Sequence, residues 1–331
     1  MINNEKGTHS WLGILLRGVA MGIAEVIPGV SGGTIAFISG IYERLLNAIQ
    51  SFDLWIFRSL FKKGGIKEIW QRVDGRFLLT LIAGMASGLL FGVLVISHFL
   101  EEYPPVIWGL FFGLISASAI WIARSVHKWD GLTLVYFFGG ALVAFVITNL
   151  SPAEGNTAWW YILLSGCIAI CALILPGISG SFMLLLLGLY TVVIPAVKTV
   201  ITDFSLQALS ILVFFALGCI VGLLTFAKFL SWMFKTYHRQ TLAAMTGFVV
   251  GSLWKIWPWR TPSIWFDKIQ NQLVRGIWDG NVSIHDVRVI KEMNVLPANY
   301  VGNPYVWATC LAIIAGIALV FLLGRLDKKG L

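Results

Sequence analysis

The sequence predicts an all-α polytopic membrane protein made of two inverted-topology repeats, each a re-entrant helix–break–helix hairpin followed by three transmembrane helices. Three observations lead there. Of 331 residues, 58% are hydrophobic and only 12% charged, with a mean hydropathy of +0.83. A soluble domain carries about 25% charged residues, so this chain has too little polar surface to cover itself in water. Its apolar residues fall into runs near the ~20 that a helix needs to cross a ~30 Å hydrocarbon core. One half of the chain also matches the other around a Pro-Gly-x-Ser-Gly core.

The same figures exclude a cytosolic enzyme, a disordered chain and a disulfide-stapled secreted domain. The formal charge of +8 raises nucleic acid as a partner. In a membrane protein it instead asks which loops hold the cations, and no nucleic-acid partner is expected. Cys167, Cys171, Cys219 and Cys310 all lie in apolar runs and read as small buried hydrophobes; no metal site and no cofactor is expected. No cleavable signal peptide is expected at the polar start, Met1–Ser10.

In chain order, the first apolar region, 11–50, is broken at its centre by Pro and Gly and reads as a hairpin. Loop 51–76 follows with Arg58, Lys62, Lys63, Lys67, Arg72 and Arg76. Spans are expected at 77–100, 105–123 and 131–149, completing a first repeat over 1–150. The second repeat, 151–331, opens with a broken region at 159–197 and continues with spans at 208–230, 241–257 and 305–323. Cations at Arg124, Lys128, Lys235, Arg239 and Arg325 join those of loop 51–76 on one side. Positive-inside reasoning makes that side the cytoplasm, with both termini there, in a bacterial inner membrane. The exception is 255–304, with six cations on the expected outside. The extracytoplasmic segment 258–304 reads as a cap. Trp254, Trp257, Trp259 and Trp265, with Pro258 and Pro262, form an interfacial belt in that reading; a lipid-anchored surface helix with no catalytic task is the plainer one.

Residues 24–48 align with 172–196 at an offset of 148, sharing Ala24/Ala172, Pro28/Pro176, Gly29/Gly177, Ser31/Ser179, Gly32/Gly180, Gly40/Gly188, Tyr42/Tyr190 and Ala48/Ala196. Further on, 86–100 resembles 216–230, aligning Gly88 with Gly218, Gly92 with Gly222 and His98 with Lys228. Each half crosses the membrane an odd number of times, so the second is inserted upside down. Inverted repeats with interrupted helices are the pattern of secondary transporters.

Pro28 and Pro176 lack an N–H and disfavour helix at the residue before them. Gly29, Gly32, Gly33, Gly177 and Gly180 permit tight turns and close approach. Ser31 with Thr34, and Ser179 with Ser181, supply hydroxyls where a new helix begins. Irregular backbone at membrane depth is tolerated only where protein or a watery cavity satisfies it. Two half-helix N-termini facing each other then form an anion site, with phosphate a natural occupant. The plainer alternative is close helix packing. Charges inside a membrane are costly and mark function. Arg17, one helix upstream of the first break, offers a fork of donors to phosphate. Glu25, replaced by Leu173 in the second copy, suits proton coupling, or else is a static partner of Arg17.

The paired PGVSGGT (28–34) and PGISGS (176–181), each ahead of a G-x-Y (Gly40 to Tyr42, Gly188 to Tyr190), resemble the bacterial polyprenyl-phosphate transporter family, PopT. That resemblance covers nearly the whole chain. It implies a flippase that returns undecaprenyl phosphate from the outer to the cytoplasmic leaflet for peptidoglycan and other envelope polymers. It also implies that Pro28–Thr34 and Pro176–Ser181 serve the lipid. Ser181-Phe182 stands where the first copy has Gly33-Thr34, so the two sites are not identical. The expected partners are the polyprenyl-phosphate lipid and membrane lipids; a homo-oligomer is compatible with the sequence. Two competing readings use the same residues: a channel or transporter for a small anion, and an intramembrane serine enzyme built on Gly29-x-Ser31-x-Gly33. The second lacks the strand–turn–helix setting and the ordered His partner such an elbow requires.

Overall fold

The computed structural model describes residues 10–26, 31–52, 65–153, 155–203, 205–270, 272–280 and 287–327, the side chains of 97, 273, 288 and 322–327 aside. The first broken region folds as α1 (Trp11–Val26), α2 (Gly32–Ile38) and α3 (Tyr42–Gln50). Helix α1 starts where the Ser10 hydroxyl accepts from the Gly13 N–H at 3.1 Å, the usual way to satisfy an orphan donor at a helix start. Next come α4 (Gly65–Arg72), α5 (Gly75–Phe91), a π turn (Gly92–Ile96), α6 (Ser97–Glu102), α7 (Pro104–Ser125) and α8 (Gly131–Asn149). The second broken region gives α9 (Trp159–Ile174), α10 (Gly180–Leu186) and α11 (Tyr190–Asp203). Then follow α12 (Leu206–Thr236), α13 (His238–Ser252), a 3-10 turn (Leu253–Ile256), strands β1 (Arg260–Asp267), β2 (Gln272–Arg275) and β3 (Val287–Asn294), and α14 (Val306–Asp327).

The 148-residue offset read from side chains recurs in the element boundaries: Trp11/Trp159, Val26/Ile174, Gly32/Gly180, Ile38/Leu186 and Tyr42/Tyr190. Gly40 and Gly188, at φ 72° and 69°, turn the chain out of α2 and α10 through the left-handed conformation that glycine takes without cost. The α10–α11 bend is 105°.

Helix pairing repeats the relation. Helix α1 packs on α5 and α9 on α12, while α7 packs on α14 and α8 on α13; exchanging the halves maps this set onto itself. A Cβ at Gly84 or Gly88 would overlap the carbonyls of Leu15 or Val19, and one at Gly218 or Gly222 those of Leu163 or Cys167. Leu15/Leu163 and Val19/Cys167 are 148 apart, so packing pairs Gly84 with Gly218 and Gly88 with Gly222. That is one helical turn away from the match of Gly88 with Gly218 and Gly92 with Gly222. Glycines spaced by four match themselves equally well one turn out of register, and only the carbonyl each one faces decides. In the packed register His98 and Lys228 are not counterparts.

Four described helical stretches are long and apolar enough to cross a membrane: Gly75–Glu102, α7, α8 and α12. The bent α10–α11 pair makes a fifth if it is counted as one span. They contain the spans expected at 77–100, 105–123, 131–149 and 208–230. The span expected at 241–257 is instead the 15-residue α13, ~22 Å at 1.5 Å per residue, with Thr241, Thr246 and Ser252 buried. The expected 305–323 span falls on α14, whose apolar stretch Val306–Phe321 is shorter than the four above. Exposed Leu94, Val135, Phe138, Leu142, Val213 and Leu311 give these helices an apolar outer surface.

One part is not helical, against the all-α expectation. Strands β2-β1-β3 form an antiparallel sheet, with Trp265 opposite both Val274 and Val289. The surface helix considered for this segment is absent among its described residues. Trp259 and Trp265 are buried within the protein, and the indoles of Trp257 and Trp259 donate to the carbonyls of Val295 and Pro304 at 2.9 and 2.8 Å. Alternation in β3 (V-R-V-I-K-E-M-N) carries the strand signal; in β1 the Pro and Trp residues mask it.

Charged groups from loops assigned to the cytoplasm meet at one end. Arg44 pairs with Asp74 at 2.7 Å, Arg239 with Asp130 at 3.5 Å, and His238 approaches Glu43 at 4.0 Å. Tyr103 and Tyr305, from segments assigned to the other side, are in ring contact at 5.3 Å.

Candidate functional site

The site starts with an accounting problem. The last turn of a helix leaves carbonyls without intrahelical donors, and α9 ends inside the protein. The Ser31 hydroxyl donates to the Leu173 carbonyl at 3.2 Å, and the buried Tyr42 hydroxyl to that of Ile174 at 3.0 Å. The Gly177 N–H, in the second break, donates to Thr34 Oγ1 at 2.9 Å. Gly33 lies flush against the same turn: a Cβ there would sit 2.7 Å from Ile174 O and 2.9 Å from Leu173 O. Residues about 140 positions apart are thus stitched together at the two breaks.

Ser31 is also the N-cap of α2, accepting from the Gly33 N–H at 3.1 Å. Glu25 reaches across the break from the last turn of α1, and its Oε1 accepts from the Gly32 N–H at 2.8 Å. At the other end of α2, Arg17 Nε donates to the Ser39 carbonyl at 3.1 Å. The two contacts make α1 and α2 an antiparallel hairpin. They also put a carboxylate at the positive end of the α2 dipole and a guanidinium at its negative end. The carbonyl equivalent to Ser39, that of Leu187, is met instead by the Tyr161 hydroxyl at 2.8 Å.

The second break is built differently. Ser179 is buried but makes no cap hydrogen bond to α10; its hydroxyl pairs with Ser181 Oγ at 2.8 Å. Ser181 is exposed. Gly177, at φ 90°, lies against Phe248 and Val249 of α13, and a Cβ on Gly180 would meet the Ala169 carbonyl at 2.8 Å. Phe182, in place of Thr34, cannot return the hydroxyl stitch, and Tyr190, in place of Tyr42, is exposed.

The structure therefore brings Ser31, Gly32, Gly33, Thr34, Gly177 and Glu25 together, with Arg17 at the far end of α2. Ser179 and Ser181 bond each other instead, and Gly180 lies against Ala169 and Leu173 of α9. Pro28 and Gly29 lie outside the described residues. Sequence reasoning missed two participants. Tyr42 was visible as a repeat match without a role. Lys255, whose Nζ stands 5.3 Å from the centre of the Phe182 ring, was visible as a cation at the end of an apolar run. Among the described residues no three or more His, Cys, Asp or Glu side chains gather as metal ligands would. Ser31 Oγ bonds backbone groups, the Leu173 carbonyl and the Gly33 N–H.

Comparison with known proteins adds the following. A family model described as undecaprenyl phosphate translocase-like matches residues 21–274. A protein of Vibrio cholerae serotype O1 named polyprenyl-phosphate transporter is 42% identical over 323 residues, 97% of this chain and 99% of that protein. One of the same name from Staphylococcus aureus is 32% identical over 276 residues, 77% and 90% of the respective chains. No solved structure matches.

Proposed function

The chain belongs to the undecaprenyl phosphate translocase-like family, whose named relatives are transporters and not enzymes, and on that premise we propose that it carries polyprenyl phosphate across the bacterial cytoplasmic membrane. In this reading the lipid moves from the outer to the cytoplasmic leaflet, where envelope-polymer synthesis reuses it. Residues 1–150 and 151–331 are inverted repeats, their hairpins are re-entrant, and both termini are cytoplasmic. The observation that carries the reading is the stitching of the two breaks through Ser31 and Thr34. These hydroxyls and the N–H groups beside them are bonding partners that a phosphate can take over when the halves part.

The substrate phosphate sits between the breaks, held by the N–H groups and hydroxyls of Gly29, Ser31, Gly32, Gly33 and Thr34 on one side and Gly177, Ser179, Gly180 and Ser181 on the other. Arg17 adds a fork of donors as α2 shifts, and the polyprenyl tail stays in lipid. Glu25 gives the coupling step. Its carboxylate occupies the Gly32 N–H that a phosphate oxygen would use, so the two anions compete. A proton taken up by Glu25 removes that competition, and its release restores it.

Reconstitution tests this. With labelled undecaprenyl phosphate in the outer leaflet of proteoliposomes, the wild-type chain should deliver it to the inner leaflet. Ser31→Ala should slow delivery about tenfold or more, the scale of one hydrogen bond to a charged group. Glu25→Gln should abolish the dependence of rate on a pH gradient. Fast chloride flux without lipid movement would overturn the reading in favour of a small-anion pathway.

A further inference from the structure

The 3-10 turn after α13 delivers a cation to the second break. Phe248 and Val249 of α13 lie under Gly177, and two turns further on Lys255 places its Nζ over the Phe182 ring at 5.3 Å. Phe182 follows Ser181, whose exposed hydroxyl is bonded to that of Ser179. Among the described residues no carboxylate lies within ion-pair distance of Lys255.

Behind it stands Arg260, its side chain only 8% exposed. The guanidinium lies on the Trp108 ring at 3.9 Å, and Nη1 donates to Glu292 Oε2 at 2.9 Å and to the Lys255 carbonyl at 3.1 Å. Arg260 Nε is buried with no hydrogen-bond partner. Among the described residues the charges that act on Lys255 are those of Arg260, Lys291 and Glu292, which makes three cations to one carboxylate. Half-buried charge of one sign is costly until a counter-ion arrives, and an orphaned guanidinium N–H adds a donor with nothing to bind. The first break, by contrast, already holds the Glu25 carboxylate, and Leu173 replaces it in the second copy.

We propose that Lys255, set over Phe182 and backed by Arg260, is the cation that receives the phosphate monoester of the substrate at the sheet-bearing end of the protein, handing it to the Ser179–Ser181 hydroxyl pair. A phosphate monoester brings close to two negative charges and three acceptor oxygens, enough to balance the cluster and accept from both serines. Arg260 acts as a positioning residue: it fixes the Lys255 carbonyl and, with Glu292, the turn that carries the ammonium. The proposal rests on the transport reading above. It adds a side on which the phosphate first docks and a residue that no repeat match contains.

Binding of farnesyl phosphate and of inorganic phosphate to the full-length chain in detergent, measured by calorimetry, tests it beside lipid transport in proteoliposomes. Lys255→Gln should weaken farnesyl phosphate binding about tenfold or more, and Lys255→Arg should stay within about threefold of wild type because the charge is kept. In the unmutated protein, farnesyl phosphate should slow acylation of Lys255 by an amine-reactive probe, read by mass spectrometry against Lys67 as control; this arm does not depend on a variant folding. Unchanged affinity in Lys255→Gln, or no protection of Lys255, overturns the proposal. If the wild type still moves the lipid, the transport reading stands without it. A wild type that binds inorganic phosphate through Lys255 yet moves no lipid keeps the site and overturns the lipid.

Discussion

Tyr42 makes the case at the scale of a residue. Its hydroxyl serves one carbonyl, that of Ile174, at 3.0 Å and fully out of water. Removing the hydroxyl leaves a buried acceptor unpaired, which costs about 1–3 kcal/mol. Tyr42→Phe should therefore lower stability by that much in denaturant unfolding in detergent. Tyr190→Phe, at the exposed counterpart, should change it little. Gly33→Ala is the steric version: its Cβ has nowhere to go between the carbonyls of Leu173 and Ile174. It should depress both the melting temperature and lipid transport. The hydroxyls and glycines of the two breaks were legible in the sequence, as were the two charges of the first hairpin. Their partners were not. A sequence says that Ser31 and Thr34 follow a Pro-Gly break, but not that they close on Leu173 and Gly177 more than 140 residues away. Glu25 and Arg17 read as partners of each other or of a ligand; that folding sets them at opposite ends of α2 was not legible.

At the scale of elements, seven-residue helices such as α2 and α10 are too short to stand alone and take their stability from what braces their ends. Gly40→Ala forces a side chain into the left-handed region at the end of α2 and should cost roughly 1 kcal/mol. The one-turn register difference between α5 and α12 gives a sharper test. Gly92→Ala meets mainly the Val26 side chain, whereas Gly222→Ala meets the backbone of Cys167. Thermal unfolding should show the second far more damaging; equal losses would restore the register read from side chains. Asp130 caps α8, and the Thr133 hydroxyl and N–H donating to its carboxylate hold its pKa below the usual range. Its contribution is therefore present above about pH 4 and lost as pH falls through the lowered value. Between about pH 5 and about pH 3, wild-type stability should fall while Asp130→Asn, which keeps an acceptor but does not titrate, should show a shallower fall. Helices were readable because apolar runs of membrane length have few alternatives. The sheet was not, because three strands of 8, 4 and 8 residues offer short patterns that tryptophan and proline obscure.

At the scale of the molecule, the set of helix pairs survives exchange of the two halves, while the breaks themselves do not match: hydroxyls that reach the other half and a carboxylate in one, a hydroxyl pair bonded to itself, a phenyl ring and a lysine in the other. The proposed sidedness makes the end where Arg44–Asp74 and Arg239–Asp130 pair the cytoplasmic one. In a variant stripped of its native cysteines, Lys268→Cys should be labelled by a membrane-impermeant maleimide on intact spheroplasts, and Lys67→Cys only after lysis; the reverse pattern would turn the molecule over. The stitching of the breaks has a last consequence, and it concerns solvent. Leu173 and Ile174 cannot leave Ser31 and Tyr42 for a dry gap, since each bare carbonyl would forfeit the hydroxyl that serves it. In the proposed cycle, separation of the halves is therefore a wetting event: water, or the oxygen-rich headgroup it escorts, must arrive as the hydroxyls depart. Agents that withdraw water from narrow spaces, such as excluded polymers, should hold the transporter shut without touching any residue of the site.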